Sequence, residues 1–300
     1  MDKIKLLSKI KELYNNNGNI CSFLREQSGE NLNDLETILI SYDFQAGSYI
    51  QFAEKNSGYL NAYTDSLAKI INSFSSVDSI IEIGVGEATT LGNLLKKIPS
   101  GISAYGFDIS WSRIFYAQQF LKKQKINTCT LFTGDFFNCP LADNSIDVVY
   151  TSHSIEPNGG REKEALEELY RITNKYLVLL EPAYDFATEE GKNRMIKNGY
   201  ITKLYETAKE LNYKIIEHRL FDISSNPLNP TGLTIIEKTK KTESVENPLA
   251  CPITKTNLII KNNAYFSPKS LLAYPILNGI PCLCPQNAIV ATHFLDEIRL

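Results

Sequence analysis

The sequence has no apolar run long enough to cross a membrane, no excess of basic residues and few cysteines. Its opening, Met1-Asp2-Lys3-Ile4-Lys5, interleaves lysine with the first apolar positions, which is too polar for a signal peptide or a membrane span. Lysine and arginine total 31 against 34 acids, a net charge of −3, so no overall field gathers nucleic acid or an anionic membrane around the chain, although a local basic patch stays open. The six cysteines (Cys21, Cys129, Cys139, Cys251, Cys282 and Cys284) are scattered, and no secretory leader precedes them. Reduced thiols and a cytoplasmic location are therefore expected. What remains is a soluble globular composition, 43% hydrophobic and 22% charged over 300 residues, which favours one large domain with a smaller one.

The rest of the chain is organised around Ile80-Ile81-Glu82-Ile83-Gly84-Val85-Gly86-Glu87-Ala88-Thr89-Thr90, a buried strand that runs into a glycine turn and a helix start. Gly84 and Gly86 remove β-carbons where the backbone turns sharply and a ligand presses close, and the helix behind them offers free N–H groups. A dinucleotide fingerprint would need a third small residue at Thr89 and a place for a pyrophosphate, and the sequence fits neither. The spacing acid-x-Gly-x-Gly-x-small, from Glu82 to Ala88, instead resembles the first motif of class I S-adenosylmethionine-dependent methyltransferases of the type 11 kind. An ordinary tight turn is the competing reading of this loop alone.

Two later acids add to the pattern. Ala104-Tyr105-Gly106-Phe107-Asp108 is a second apolar strand whose terminal acid is spaced to accept from ribose hydroxyls; capping of the helix that starts near Ser112 is a compatible second role. A third strand, 130–136, ends Gly134-Asp135-Phe136, which in the resembled family lies along the adenine, with Asp135 accepting from the exocyclic amine and Phe136 as an apolar wall. The resemblance also implies Ile109 and Thr151 as cofactor contacts.

Helices are expected at 3–14, 32–41 and 61–73, then at 89–98, 111–123 and 161–172, with a broken helical stretch over 187–211. Strands are expected at 146–152 and 176–180, and 214–220 with 233–238 would close the sheet as an antiparallel hairpin. The basic, amphipathic first helix is read as packing on its own domain rather than lying on a membrane. This alternation is an α/β class, and the resemblance makes it a Rossmann-like seven-stranded methyltransferase sheet covering roughly 61–238. Helices before the first strand commonly cover the cofactor mouth, and the segment around Tyr42, Gln45 and Tyr49 supplies the lid candidates, with an ordinary helical cap as the alternative. The fourth strand opens into His153-Ser154-Ile155-Glu156, where the reacting end of a ligand would lie. His153 is the candidate general base and Glu156 its orienting partner, against a transfer that relies on alignment alone. No Asn-Pro-Pro-Tyr run is present, which disfavours planar amide or adenine-amine acceptors.

The division expected is a helical cap at 1–78, a cofactor-binding domain at 79–239, a polar linker at 240–248 and a small β-rich unit at 249–300. Leu272-Ala273-Tyr274-Pro275-Ile276 followed by Gly279-Ile280-Pro281 resembles the small bacterial zinc-ribbon-derived proteins related to the methyltransferase activator subunit. Zinc-bearing relatives begin Cys-Pro-x-Cys, whereas Thr254 holds the second position here and Cys282 and Cys284 are too closely spaced to complete a site with Cys251, so no zinc is expected. Together the resemblances imply S-adenosyl-L-methionine as cofactor, S-adenosyl-L-homocysteine as product, and methyl transfer to oxygen or nitrogen of a small polar metabolite, for example a sugar or surface-glycan precursor. Methylation of tRNA, rRNA or a translation protein is the alternative, nucleic acid being disfavoured by the acidic balance. A cofactor-binding protein without catalysis is the third reading. No membrane partner is expected, and the sequence does not reveal an oligomeric state.

Overall fold

The computed structural model describes residues 3–16, 18, 20, 23, 24, 26, 35–238, 245 and 247–296. Cys21, positions 32–34 of the second expected helix and most of the expected linker lie outside them. Helices α1 (Lys3–Asn15), α2 (Leu35–Phe44), α3 (Ser48–Lys55) and α4 (Ser57–Ser73) precede the first strand. The segment around residues 42–49 is a helical corner: α2 runs on to Phe44 and α3 starts at Ser48, with Gly47 at φ +99° between them, a left-handed bend that glycine adopts without strain. On α4, Tyr63, Leu67, Ala68 and Ile71 form a buried stripe at helical spacing that packs on the sheet.

Strands and helices then alternate: β1 (Ser79–Ile83), α5 (Thr89–Leu94), β2 (Ser103–Asp108), α6 (Trp111–Lys123), β3 (Cys129–Thr133), β4 (Ile146–Ser152), α7 (Glu162–Ile172) and β5 (Thr173–Pro182). After α8 (Glu189–Lys197) and α9 (Leu204–Glu210) come β6 (Lys214–Leu220) and β7 (Thr231–Glu237). α5 ends four residues before the expected Ile98, because a tight Lys97 N–H to Leu94 carbonyl bond closes the turn ahead of Pro99.

The seven strands form one sheet in the order β3-β2-β1-β4-β5-β7-β6, parallel through β5, with β7 inserted antiparallel between β5 and β6. Alternate residues feed opposite faces: Ile80, Val148, Tyr150 and Val178 enter one buried cluster, and Ile81, Ile83, Val149 and Leu177 the other. The order reverses between β1 and its neighbours β2 and β4, so the crevice at the C-terminal ends of these strands is where an open α/β sheet binds its ligand.

The C-terminal segment forms a second, antiparallel sheet from β8 (Ile259–Lys261), β9 (Ala264–Ser267), β10 (Leu272–Leu277), β11 (Ile280–Pro281) and β12 (Ile289–Val290). It docks where the large sheet would otherwise present an open edge. Cys282 pairs with Thr133 at the end of β3, and the Leu283 N–H donates to the Thr133 carbonyl at 3.1 Å. The Ala142 N–H donates to the Pro248 carbonyl at 2.9 Å, and Ala250 N–H to the Pro140 carbonyl at 3.0 Å. Cys251, Tyr274 and Leu283 are buried in the same cluster as Phe107, Phe132 and Leu141. Lys255 extends the contact by pairing with Glu168 of α7 at 2.7 Å.

Candidate active site

The loop after β1 owes its shape to its glycines. Gly84 and Gly86 have φ of +64° and +54°, and a β-carbon on Gly84 would lie 2.3 Å from the Ser154 β-carbon, where the loop after β4 crosses. Asp108 fixes the far side, its Oδ2 accepting from the Gly86 N–H at 3.0 Å and its Oδ1 from the Ser110 N–H at 2.9 Å. The cap of α6 is Ser110, whose hydroxyl accepts from the Arg113 N–H at 3.1 Å, so the capping role considered for Asp108 belongs to its neighbour. Asp135 likewise steadies its own turn, accepting from the Phe137 N–H at 2.9 Å and the Asn138 side-chain amide at 3.1 Å. Each carboxylate keeps lone pairs beyond these two bonds. Glu82 is buried and accepts from the Tyr150 hydroxyl at 2.8 Å; burial pushes its pKa up to about 8 despite that bond.

These residues border a cleft of about 880 Å³, counting space open to solvent. Glu82, Gly84, Gly86, Asp108, Ile109, Gly134, Asp135, Phe136, His153 and Tyr49 all line it. Three of the expected site residues do not. Thr151 is fully buried in β4, Gln45 lies in the α2–α3 corner where its carbonyl accepts from the Ser48 N–H at 3.1 Å, and Glu156 faces a second cleft. This second cleft, about 1380 Å³ with its open space, meets the first at Tyr42, Tyr49, Thr89, Thr90, Ser152 and His153. Its walls include Tyr49, Phe52, Tyr59 and Tyr63 on one side and Glu156, Asn226 and Asn229 on the other. Among the described residues, no lysine or arginine lines it.

His153 stands where the two clefts join, at φ +55°, a left-handed conformation uncommon outside glycine and frequent at functional sites. Its Nδ1 lies 2.6 Å from Glu156 Oε2 and its Nε2 lies 2.8 Å from Thr231 Oγ1, while the Asn229 amide donates to Glu156 Oε2 at 3.1 Å. Burial opposes the imidazolium, but the hydrogen bond and charge of Glu156 outweigh it and hold His153 above its ordinary value. Burial likewise works against the Glu156 carboxylate, and its bonds to His153, Tyr200 and Asn229 overcome that and lower its pKa.

Three site carboxylates were not predicted from the sequence as functional. Glu181, at the end of β5, accepts from the N–H groups of Ser154, Ile155 and Glu156 at 3.0, 3.2 and 3.1 Å and so shapes the loop that carries His153. Burial pushes its pKa up to about 7, against the pull of those donors and of His153. Glu87 accepts from the N–H groups of Gly47, Tyr49 and Ile50 at 2.9, 3.2 and 2.7 Å, capping α3 from the glycine loop. Asp43 on α2 accepts from the Ser110 hydroxyl at 2.6 Å and the Ser112 N–H at 3.1 Å, which ties the helical cap to the start of α6. Charge at helix N-termini was the available signal for Glu87 and Asp43, and Glu181 serves a loop; all three acids are far in the chain from the N–H groups they accept from.

Residues 80–175 match the family model described as a methyltransferase domain. Over this stretch, about a third of the chain, the protein is similar to methyltransferase domains. A methyltransferase of Schizosaccharomyces pombe named as uncharacterized is 31% identical over 102 residues, 32% of this chain and 36% of that protein. Another so named, from Oceanobacillus iheyensis, is 26% identical over 161 residues, 52% of this chain and 70% of that protein. The chain thus spans about a third of the length of the first relative and more than two thirds of the second. Among solved structures, a SAM-dependent methyltransferase from Aquifex aeolicus superposes at TM-score 0.49 and 16% identity, over 63% of this chain and 97% of that one. A chain of the Haloferax volcanii complex between a methyltransferase activator and a methyltransferase gives 0.49 and 16% over 65% and 97%. Among the described residues, no helix is long and apolar enough to cross a membrane, and no group of three or more potential ligands could hold a metal ion. Cys251 accepts from the Thr254 N–H at 3.5 Å and has Tyr274 Oη at the same distance, whereas Cys282 pairs with Thr133 at the β3 edge.

Proposed function

We propose that the protein is an enzyme that methylates oxygen or nitrogen of a small polar metabolite, with S-adenosyl-L-methionine as donor and S-adenosyl-L-homocysteine as product. The observation that carries this reading is the gathering of Glu82, Asp108 and Asp135 around the two glycines in one cleft. The donor fits these residues. Gly84 lets the Ser154 loop pack directly on the turn, Asp108 and Asp135 have unused lone pairs for ribose hydroxyls and an amine, Phe136 and Ile109 supply apolar surface, and four acids on the wall suit a cationic ligand. When bound, the sulfonium supplies an electrophilic methyl group whose carbon bonds to the acceptor while sulfur keeps the electron pair.

The chain's own work is alignment and proton removal. The acceptor occupies the aromatic-walled cleft next door, where Tyr49, Phe52 and Tyr59 pack on its apolar face and Asn226, Asn229 and Glu156 meet its polar edge. His153 takes the acceptor's proton at Nε2 after releasing Thr231, and Glu156 stabilises the resulting imidazolium. The absence of lysine and arginine along the described walls favours a neutral acceptor such as a sugar over RNA. The five described cysteines are free thiols, in keeping with a reducing cytoplasm.

The C-terminal unit is read as a built-in counterpart of a methyltransferase activator that stabilises the catalytic domain by covering the β3 edge. The pairing of Cys282 with Thr133 supports this role. Incubation with labelled S-adenosylmethionine and size-fractionated cell extract tests the acceptor class. Label in the low-mass fraction is the expected result; label in RNA or protein would favour the macromolecular reading. Calorimetry that detects no uptake of donor or product by folded protein would overturn the enzyme reading as a whole.

A further inference from the structure

We propose that Arg113 is the anion-binding residue of the cofactor cleft and holds the carboxylate at the amino-acid end of S-adenosylmethionine, an inference that rests on the cofactor reading above. Arg113 is the third residue of α6 and is 3% exposed, yet it lines the cleft. Its Nε donates to the Tyr42 carbonyl at 3.0 Å, and its guanidinium stands 4.6 Å from the Tyr42 ring centre and 4.5 Å from that of Tyr49. Nη2 is buried and has no hydrogen-bond partner.

A buried guanidinium without a counter-ion is costly, and aromatic faces offset only part of that cost. The nearby carboxylates are committed elsewhere: Glu87 to the N–H groups of α3, and Asp108 to those of Gly86 and Ser110. The guanidinium reaches the glycine loop, since a β-carbon on Gly86 would come within 3.3 Å of Arg113 Nη1. Among the described residues Arg113 is the only lysine or arginine on the cleft wall, beside the acids Glu82, Glu87, Asp108 and Asp135. This pattern matches the charges of the donor, which carries a sulfonium, an ammonium and a single carboxylate. A planar guanidinium is well suited to a carboxylate, and the two tyrosines hold it in a fixed plane.

The competing role is structural, with Arg113 serving only to pin Tyr42 and Tyr49. Calorimetry on wild type, Arg113→Gln and Arg113→Lys separates the two roles, with S-adenosylhomocysteine, decarboxylated S-adenosylmethionine and 5′-methylthioadenosine as probes. The expected result for Arg113→Gln is a roughly 10- to 100-fold loss for S-adenosylhomocysteine, the range of one charge-assisted contact, with the two probes lacking a carboxylate changed less than about twofold. Arg113→Lys keeps the charge and should fall between. An equal loss for all three probes, or no loss for any, would overturn the assignment while leaving the cofactor reading intact. Wild-type protein that binds none of the probes would instead remove the cofactor reading, and this inference with it.

Discussion

Replacing Glu87 by alanine should release α3 from the glycine loop without unfolding the domain. The Glu87 carboxylate is 1% exposed and accepts from three N–H donors at the start of α3, those of Gly47, Tyr49 and Ile50. Loss of a side-chain cap costs about 1–2 kcal/mol, and loss of a partly buried charge at a helix N-terminus up to about 2 kcal/mol more. The docked position of α3 should therefore lose roughly 2–4 kcal/mol. Little else fastens α3: Ala53 alone among its residues is buried, and Tyr49 and Phe52 are 46% and 48% exposed. The lost energy should then appear as local opening rather than a lower unfolding midpoint. Apparent affinity scales with the closed fraction, so S-adenosylhomocysteine binding should weaken by roughly tenfold or more, with Glu87→Gln less affected because one acceptor oxygen remains. The assay is calorimetry combined with amide exchange at residues 47–50. Unchanged exchange there and affinity within twofold of wild type would refute the clamp.

His153→Ala should lower turnover by roughly 10²- to 10⁴-fold and flatten the rise of rate with pH that a neutral imidazole base imposes, whereas ordinary turnover would remove the base role. The same pair affects stability. His153 is raised in the folded state, so its contribution is full below its ordinary value of 6.5 and fades as pH rises through the folded pKa. Glu156 is lowered, so its contribution is present above its ordinary value of 4.5 and fades as pH falls through the folded pKa. The urea midpoint gap between wild type and His153→Ala should thus be widest between these two values; a gap widest above pH 8 would contradict the pairing. Glu181→Ala strands three loop N–H groups, each worth about 1–3 kcal/mol when buried, and should destabilise by several kcal/mol unless water enters; a midpoint within 0.5 °C of wild type would show that the loop holds itself. Truncation after Asn247 should yield aggregating protein, because it opens the β3 edge and bares Phe132 and Leu141. A truncated chain as soluble and active as the whole would end the stabilising role given to the tail.

The parallel half of the sheet was legible because its strands are short apolar runs punctuated by glycine and acid, and β4 and α6 fall on the expected residues, 146–152 and 111–123. The cleft was legible for the same reason: the strand ends Glu82, Asp108 and Asp135 carry their own local signals. The residues that hold the site in shape were not. Glu87 is 40 residues from Gly47, and Glu181 is 27 from Ser154, so no window in the sequence shows either bond. Arg113 falls in the amphipathic pattern of α6 as one more basic residue, and only packing against Tyr42 and Tyr49 reveals it as buried. The α2–α3 corner was missed because tyrosines and polar groups around residues 42–49 mask a helix that ends at a single glycine.

The contacts that cover the sheet edge also reach the cofactor cleft. Thr133 accepts the Leu283 N–H on its carbonyl and the Asn287 amide on its hydroxyl at 3.5 Å. The next residue, Gly134, donates its N–H to the Asp108 carbonyl at 3.0 Å, and Asp135 and Phe136 follow directly on the cleft wall. A displacement of the tail at Cys282–Leu283 is therefore passed through Thr133 to both acids on that side of the cleft, over one packed chain of contacts rather than a flexible loop. The physical consequence is that the C-terminal sheet at this edge has no need to touch the acceptor to affect transfer. Loosening it should weaken cofactor binding first, and a Leu283→Ala variant, which vacates a fully buried position at a cost of about 2–5 kcal/mol, should show that order on titration with denaturant: cofactor affinity falls before the bulk of the sheet unfolds.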